Sequence, residues 1–337
     1  MNKTEQGVLQ KSKLVRLLIH ILLLSAFCLA QPASAETLAA ATKANIKTDQ
    51  RHHVSIVYSP DSMLQSDIIR KLSDNLNNTL PDVVITKMSA EQEITHVNDK
   101  TDLIIGIGSV GMQSANRYYP KSSKLFISTD PEKFRLDSNT NKNDAILYMT
   151  QSYCRKMQLI KLINDRWKVI SLLNSQKKPV DTDNIKQCAS RYGIEVYTVN
   201  TTERNMTDDI KNALNHSDVL LALPDKSIYN SNTVKNILLT SYRHRKPIIA
   251  FSRNFVNAGA LASIHSSVEQ VVQSASSLIE QYFKLNHRFE KSVNHPQSFD
   301  ISINSQVFRA LDISIPDVDK LRQAIKKSEP DRPGEPR

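Results

Sequence analysis

Three glycines and an aspartate in the first half of the chain have the spacing of a dinucleotide-binding site. The stretch from Asp102 to Gly111 reads as a buried strand running into G-x-G-x-x-G, and Asp130 ends the next apolar run. Such a turn can hold a pyrophosphate on backbone amides and ribose hydroxyls on a carboxylate. That fingerprint belongs on the first strand of its domain, however, and here it follows the third. We therefore predict no cofactor and interpret Gly106 and Gly108 as allowing a close backbone approach at a strand end, with Ser109 capping the next helix.

Other catalytic patterns are absent from the sequence. The nine histidines are scattered, and none has the H-E-x-x-H or H-x-x-x-H spacing that holds a metal on one helix face. The chain also lacks the G-x-S-x-G turn of hydrolases. Asp130 and Asp225 could be paired across a cleft for acid–base work, although binding a ligand ammonium or capping helices explains them as well. The sequence therefore predicts neither a metal site nor an enzyme.

The N-terminal residues have the pattern of a secretory signal peptide. Four basic residues precede the mainly apolar run 17–30, and Ala33-Ser34-Ala35 supplies small residues for cleavage. Cys28 follows Phe27 rather than a small residue, which argues against a lipid anchor. We expect a signal peptide over residues 1–35, a mature protein that begins at Glu36 and a flexible lead-in over 36–50; an uncleaved anchor is the alternative.

Charge and cysteine content limit the function further. The formal net charge of +10 is spread along the chain, and the group Arg243–Lys246 has the character of a solvated helix end, so we expect no nucleic-acid partner. Two cysteines remain after the leader, Cys154 and Cys188. In an oxidising compartment such a pair is either one disulfide or two buried thiols.

Short apolar runs rich in β-branched residues alternate with amphipathic helices along the chain. Strands joined by helical crossovers form parallel sheets that are buried on both faces. This alternation of strands and helices starts again near residue 150, and the length of the chain is typical of two domains. The sequence therefore predicts an α/β protein with two doubly wound parallel-sheet lobes.

Small polar residues follow several of these strands. Ligands of open parallel sheets bind outside the carboxyl ends of strands, where helix N-termini offer free N–H groups. Capping of the following helix is an equally common role for such residues. The turns in question are Ser59-Pro-Asp61, Gly108-Ser-Val110, Ser128-Thr-Asp130, Asn174-Ser175, Pro224-Asp-Lys-Ser227 and Ser252-Arg-Asn254.

Several segments resemble a known family. Leu223–Asn230 and Lys246–Ser263 are similar to the "LPD" turn and the "P…F…S…FV..GAL.S" segment of ABC-importer substrate-binding proteins in the family with tryptophan- and tyrosine-binding members. Asp102–Ser109 resembles a strand and turn of that family, and Ser298–Pro316 resembles its closing segment. The resemblance implies the periplasmic-binding-protein type I fold, in which two lobes joined by a multi-strand hinge enclose a ligand cleft. Carried over residue by residue, the cleft positions are Ser59, Ser109, Ser128, Thr129, Asp225 and Ser252.

The resemblance also implies a domain organisation and a function. We expect lobe 1 over 51–148 plus 258–295 and lobe 2 over 149–257 plus 296–325. Independently of the resemblance, the three prolines and many charges of residues 326–337 predict a disordered tail. The expected function is that of a monomeric periplasmic protein that binds a small polar ligand, such as an amino acid, by hinge closure and delivers it to an ABC permease in the inner membrane. A periplasmic module that reports to a sensor or to an outer-membrane uptake system is the alternative, followed by a nucleotide-using α/β enzyme.

Overall fold

The computed structural model describes residues 51–90, 101–128, 143–175, 180 and 182–328. Within these ranges, the residues from His52 onward form one compact unit with two six-stranded sheets. The expected signal peptide, the lead-in and the turn residues Thr129 and Asp130 lie outside the described residues.

Strands and helices alternate through most of the described chain. The strands are β1 (His52–Tyr58), β2 (Val83–Ser89), β3 (Leu103–Ile107), β4 (Lys124–Ser128), β5 (Ala145–Tyr148), β6 (Val169–Ser175), β7 (Glu195–Thr201), β8 (Val219–Leu221), β9 (Ile248–Ala250), β10 (Ala262–His265), β11 (Val293–Asn294) and β12 (Asp300–Ile303). The helices are α1 (Met63–Thr79), α2 (Gly108–Tyr118), α3 (Tyr153–Ile163), α4 (Thr182–Arg191), α5 (Met206–Asn215), α6 (Val234–Arg243), α7 (Arg253–Ala258), α8 (Val268–Lys284), α9 (Ser305–Ala310) and α10 (Val318–Lys327).

The first sheet has the strand order β11-β5-β4-β3-β1-β2, and all its neighbouring strands are parallel. Its central strands are buried on both faces because successive side chains enter different cores. In β3, Leu103 and Ile105 pack in the core that contains α1 and α8, whereas Ile104 packs in the core beneath α2. This two-residue alternation explains the uninterrupted apolar run in the sequence. The first sheet and its helices are called the first lobe below.

The second sheet has the order β12-β10-β9-β8-β6-β7. Its strands are parallel except β12, which runs antiparallel to β10. Two cores again cover its faces, with Leu172 in one and Leu173 in the other. This sheet and its helices form the second lobe, and the predicted α/β fold with two mainly parallel sheets is confirmed.

The helices begin and end close to where capping residues predict. The N–H of Gln65 donates to Ser62 Oγ (3.4 Å) at the start of α1. Gly193 has a φ of 61° just after α4, in the left-handed region that a glycine helix stop requires. Among the described residues, no helix combines the length and the apolar character needed to cross a membrane.

Two predicted boundaries are wrong. β10 pairs with β9, so residues 262–265, which the sequence analysis placed in the first lobe, belong to the second sheet. α8 then packs in the first-lobe core, so the chain changes lobe at Ser266 and Ser267. Secondly, α10 extends to Lys327, so residues 326 and 327 are helical rather than part of a disordered tail. The buried Ile325 holds the end of this helix against the second-lobe core.

Cys154 and Cys188 form a disulfide in the structure, with a sulfur–sulfur distance of 1.96 Å. Cys154 lies in the first turn of α3 and Cys188 in α4, so the bond joins two neighbouring helices of the second lobe. The two cysteines are 34 residues apart in the sequence. Closing a loop of this size in the unfolded chain stabilises the folded state by about 3–4 kcal/mol in the chain-entropy account.

Candidate functional site

In the described part of the chain, three segments connect the lobes, and each joins the carboxyl end of one sheet to the carboxyl end of the other. The first leads from Tyr148 of β5 into α3, and the second from His265 of β10 into α8. The third leads from β11 into β12, whose first residue, Asp300, pairs with His265 because the two strands are antiparallel. A helix that leads into a parallel strand starts at the carboxyl end of that strand's sheet. The strand-end turns of both lobes therefore border one cleft.

The crossover segments are bonded to one another. Arg155 Nη1 donates to the carbonyl of Pro296 (2.7 Å) and to the side-chain oxygen of Gln151. The amide of Gln151 in turn donates to Ser266 Oγ. These four residues come from all three crossovers, so the hinge is a polar junction rather than three independent links.

On the first-lobe side of the cleft, the side chain of Gln65 lies between two strand-end turns. Its Oε1 accepts a hydrogen bond from the backbone N–H of Ser59 (2.9 Å), in the turn after β1. A Cβ atom on Gly108, in the turn after β3, would come within 2.5 Å of Gln65 Nε2. Gly108 also has a φ of 68°, a backbone conformation that favours glycine. The side chain of Gln65 thus contacts both of the turns that carry Ser59 and Ser109.

Two of the predicted first-lobe residues lie differently from expectation. Ser109 is not a helix cap: the capping position of α2 is Ile107, and Ser109 is the second residue of the helix. A cap at Ser109 would make Val110 the first helical residue, so the helix starts two residues earlier than expected, at Gly108. Ser128 is the last residue of β4 and is only 3% exposed, so in this conformation it lies beneath the cleft surface. Thr129 lies outside the described residues.

The glycines of the nucleotide-like motif have packing roles. A Cβ atom on Gly111 would lie 2.4 Å from the carbonyl oxygen of Val57 in β1, so this glycine lets α2 approach the sheet. A Cβ atom on Gly106 would lie 3.0 Å from the Cα of Met112. Gly106 therefore provides the close backbone approach that the sequence predicted, and Gly111 provides a second one that the sequence did not predict.

On the second-lobe side, Asp225 and Ser252 both stabilise the start of a turn or helix. Asp225 Oδ1 accepts hydrogen bonds from the backbone N–H (2.8 Å) and the hydroxyl (2.6 Å) of Ser227. Ser252 Oγ accepts from the N–H of Phe255 (3.3 Å) at the start of α7. Capping therefore uses one oxygen of each side chain. The second carboxylate oxygen of Asp225 has no hydrogen bond within the described part of the chain.

A cavity of about 350 Å³ opens on the same side, at the carboxyl ends of β6 and β7. Hydroxyl groups and two apolar side chains line most of it: Ser175, Thr201, Thr202, Ser227, Met206 and Ile228. The exposed side chains of Glu203 and Arg204 complete the lining. A polar molecule with an apolar face suits such a lining.

Only part of this region was predicted from the sequence. Ser175 and the turn that ends at Ser227 were candidates, but Thr201 and Thr202 were not, although these residues end the β7 run in the same way. Gln65 was also missed. A polar side chain in the first turn of a helix after a strand-end turn is the signal that could have found it. The pairing of Asp130 with Asp225 stays a prediction, since Asp130 lies outside the described residues.

The titratable residues of the described ranges do not form a metal centre. No group of three or more His, Cys, Asp or Glu side chains in those ranges is arranged to hold a metal ion. His265 at the end of β10 is half-buried, and its burial lowers the pKa of the imidazole, as does the nearby Arg253. Its Nδ1 lies 3.1 Å from Ser263 Oγ.

Three solved structures illustrate the similarity of the fold. A ligand-free, open substrate-binding protein with adhesive properties from Clostridium difficile has a TM-score of 0.60 and 19% identity, covering 79% of this chain and 96% of its own. An ABC domain in complex with L-Trp from Streptococcus pneumonia (TM-score 0.54) and a conserved domain protein from Vibrio cholerae (0.55) are each 17% identical, covering 81% of this chain and 98% of theirs. These similarities establish the fold.

Sequence comparison identifies the family. No curated protein matches the chain significantly. The family model described as ABC transporter substrate binding protein, however, matches residues 133–325, which is more than half of the chain. That range includes the three crossovers and the second lobe as far as Ile325 in α10. The chain belongs to the ABC transporter substrate-binding protein family.

Proposed function

We propose that this protein is a periplasmic solute-binding protein that captures a small polar ligand between its lobes and delivers it to an ABC permease of the inner membrane. One observation carries the proposal: all three crossovers join carboxyl ends, so the polar turns of both lobes border one cleft. In this proposal the signal peptide is removed after Ala35, and the mature protein acts as a monomer without a nucleic-acid partner.

Ligand capture works by hinge closure. A ligand that contacts both lobes binds the closed arrangement better than the open one and shifts the population towards it. The cavity beside β6 and β7 offers a first binding surface on the second lobe. Closure then adds the first-lobe turns that carry Ser59 and Ser109. Ser128, Thr129, Asp225 and Ser252 complete the proposed contact set.

The proposal is tested by the thermal stability of the chain from Glu36 in the presence of single L-amino acids and simple sugars. The similar Streptococcus structure holds L-Trp, so amino acids are the class to test first. A ligand at about 100 times its Kd adds roughly 2.7 kcal/mol to the free energy of unfolding. For a protein of this size, we expect the melting temperature to rise by several degrees. A chain that no compound stabilises would contradict the proposal.

The variant Asp225→Asn tests whether the second-lobe turn that contains Asp225 takes part in ligand binding. Asparagine keeps an oxygen that can accept from Ser227, so the unliganded melting temperature should change little, whereas the loss of the carboxylate should remove most of the ligand-induced shift. Asp74→Asn, on an exposed face of α1, is the matched control and should leave the shift intact. A full shift in Asp225→Asn would show that Asp225 is only a cap.

A further inference from the structure

The outer face of α6 carries exposed apolar and basic side chains side by side. Leu239 and Tyr242 are 44% and 59% exposed, and Lys235 and Arg243 are exposed as well. At 3.6 residues per turn, these four positions fall within about 100° of the helix circumference. Ile237, on the opposite side of the helix, is buried in a second-lobe core. The four exposed residues are called the α6 stripe below.

The stretch of chain that contains α6 has basic residues and no acidic ones. Acidic residues make up 34 of the 337 in the chain, so about four would be expected among the 43 residues 226–268. That stretch contains no Asp or Glu, but it has six basic residues, which are Lys226, Lys235, Arg243, Arg245, Lys246 and Arg253. The region therefore has a strong local excess of positive charge.

The acidic side chains on the elements beside α6 are paired or partly buried. Asp208 of α5 pairs with Lys211 (3.3 Å), and one carboxylate oxygen of Asp209 is buried. Asp312, in the turn after α9, pairs with Arg245 (2.6 Å). The two basic residues of the α6 stripe form no ion pair with any described residue. The stripe thus keeps its positive charge.

This combination of side chains fits an anionic lipid bilayer. Lys and Arg are attracted to anionic headgroups, whereas Leu and Tyr enter the interface between headgroups and acyl chains, where Tyr keeps its hydroxyl in the polar layer. The convex surface of a helix also meets a flat bilayer without needing a groove. An acidic protein surface would satisfy the charges but would have to supply a matching apolar patch as well.

We propose that the α6 stripe binds the anionic lipid surface of the inner membrane weakly and reversibly. Each Lys or Arg near such a surface strengthens binding by about fivefold, so two of them allow ready release. The inference goes beyond the proposed function, since none of the four residues belongs to the proposed contact set and no ligand is required. A mature protein without a lipid anchor would then reach its permease by moving along the membrane.

The test measures the binding of the chain from Glu36 to sedimented vesicles of phosphatidylcholine, with and without phosphatidylglycerol. We expect wild type to bind the vesicles that contain phosphatidylglycerol roughly tenfold more strongly than the neutral ones. Raising the salt concentration from about 0.1 M to about 1 M shortens the Debye length from about 10 Å to about 3 Å and should abolish most of this preference.

The contribution of charge is tested by Lys235→Gln combined with Arg243→Gln. The matched control is Lys320→Gln combined with Lys327→Gln, which removes two exposed cations from α10. Ile325 of α10 packs in the core on the other face of the second sheet, so the control has the same net charge and an intact α6 stripe. Binding to the anionic vesicles should weaken roughly tenfold or more in the stripe variant and less than about threefold in the control.

The contribution of apolar contact is tested by Leu239→Ser. Its matched control is Leu162→Ser, which replaces a leucine that is 40% exposed on α3. Moving the exposed part of one leucine out of water should strengthen binding by roughly threefold, so Leu239→Ser should weaken it by that factor. Leu162→Ser should bind as wild type does. Because all these residues are exposed, every variant should keep the wild-type melting temperature.

Three outcomes would overturn the proposal. A wild type that binds both kinds of vesicle equally would favour an acidic protein as the partner. Equal weakening in the two double variants would show that net charge, and not the α6 stripe, binds the vesicles. Unchanged binding in Leu239→Ser would show that charge alone is responsible. None of these results would bear on ligand capture, which is measured separately by the ligand-induced melting shift.

Discussion

Two buried basic side chains lie beside the crossovers. Lys156, in the first turn of α3, is 2% exposed, and its ammonium lies 4.8 Å from the centre of the Tyr153 ring. Burial lowers the pKa of Lys156 to about 7. Burial likewise lowers the pKa of His295 to about 4, against the effect of its hydrogen bond to the carbonyl of Thr150 (2.8 Å). Neither side chain has a carboxylate partner within 4.0 Å among the described residues.

The lysine predicts a pH dependence of stability. Its folded pKa of about 7 lies below the reference value of 10.5, so between these values the unfolded chain binds more protons. The contribution of this group to the free energy of unfolding therefore rises as the pH increases from 7 towards 10.5. In Lys156→Met we expect a higher urea midpoint than wild type at pH 7, and a smaller gain in midpoint between pH 7 and pH 9.5.

The exposed Lys226 provides the control for this measurement. Lys226→Met removes the same charge in the same lobe, and it should leave the pH dependence of the urea midpoint as in wild type. A Lys156→Met variant that is less stable than wild type at pH 7 would show that the ammonium is stabilised in the fold, which contradicts the account of a charge buried at a cost.

At the residue scale, the sequence predicted where the candidate site residues lie better than it predicted what each side chain does. Asp225 and Ser252 were recognised as candidates because small polar residues follow apolar runs, and the alternative of capping was visible in the same pattern. Lys156 was missed, because the burial of a lysine side chain on a helix depends on neighbours that are distant in sequence.

At the level of elements, the contact between α2 and β1 gives a second prediction. Replacing a glycine inside a helix by alanine usually stabilises the helix by about 1 kcal/mol. At Gly111 the new methyl group would meet the carbonyl oxygen of Val57, so we expect Gly111→Ala to lower the free energy of unfolding by roughly 2 kcal/mol. Urea denaturation measures the change.

Gln113→Ala, two residues further along α2 on its exposed side, is the control for Gly111→Ala and should change stability by less than about 0.5 kcal/mol. A Gly111→Ala variant more stable than wild type would mean that the helix does not approach the strand so closely. The glycine would then be explained by another requirement.

Most elements were predictable because their periodicity is local. The buried strands appear as continuous apolar runs, and the helices have one apolar face between recognisable caps. The sheet to which β10 belongs was predicted wrongly. A four-residue strand carries no signal that distinguishes two sheets, since its neighbours β9 and β12 are defined only by tertiary pairing. Sequence spacing left open whether Cys154 and Cys188 are bonded. In the structure they form a disulfide between two helices of the second lobe.

For the whole molecule, the central claim is that the two lobes close around a ligand. The three bonded crossovers lie at one side of the cleft, so rotation about them changes the separation of the cleft rims most at positions far from the hinge. Met63, 90% exposed at the start of α1, and Asn232, exposed in the turn before α6, lie on opposite rims. Neither residue belongs to the proposed contact set.

The most direct test is the distance between spin labels placed at Met63→Cys and Asn232→Cys in the chain from Glu36. Cys154 and Cys188 are bonded to each other, so the labels react only at the introduced cysteines. The distance distribution is recorded by pulsed electron paramagnetic resonance with and without the compound that stabilises wild type most. Closure of the lobes predicts that the distances between the two labels become shorter at a saturating concentration of that compound. A compound that binds and stabilises the protein while the distribution stays unchanged would contradict it.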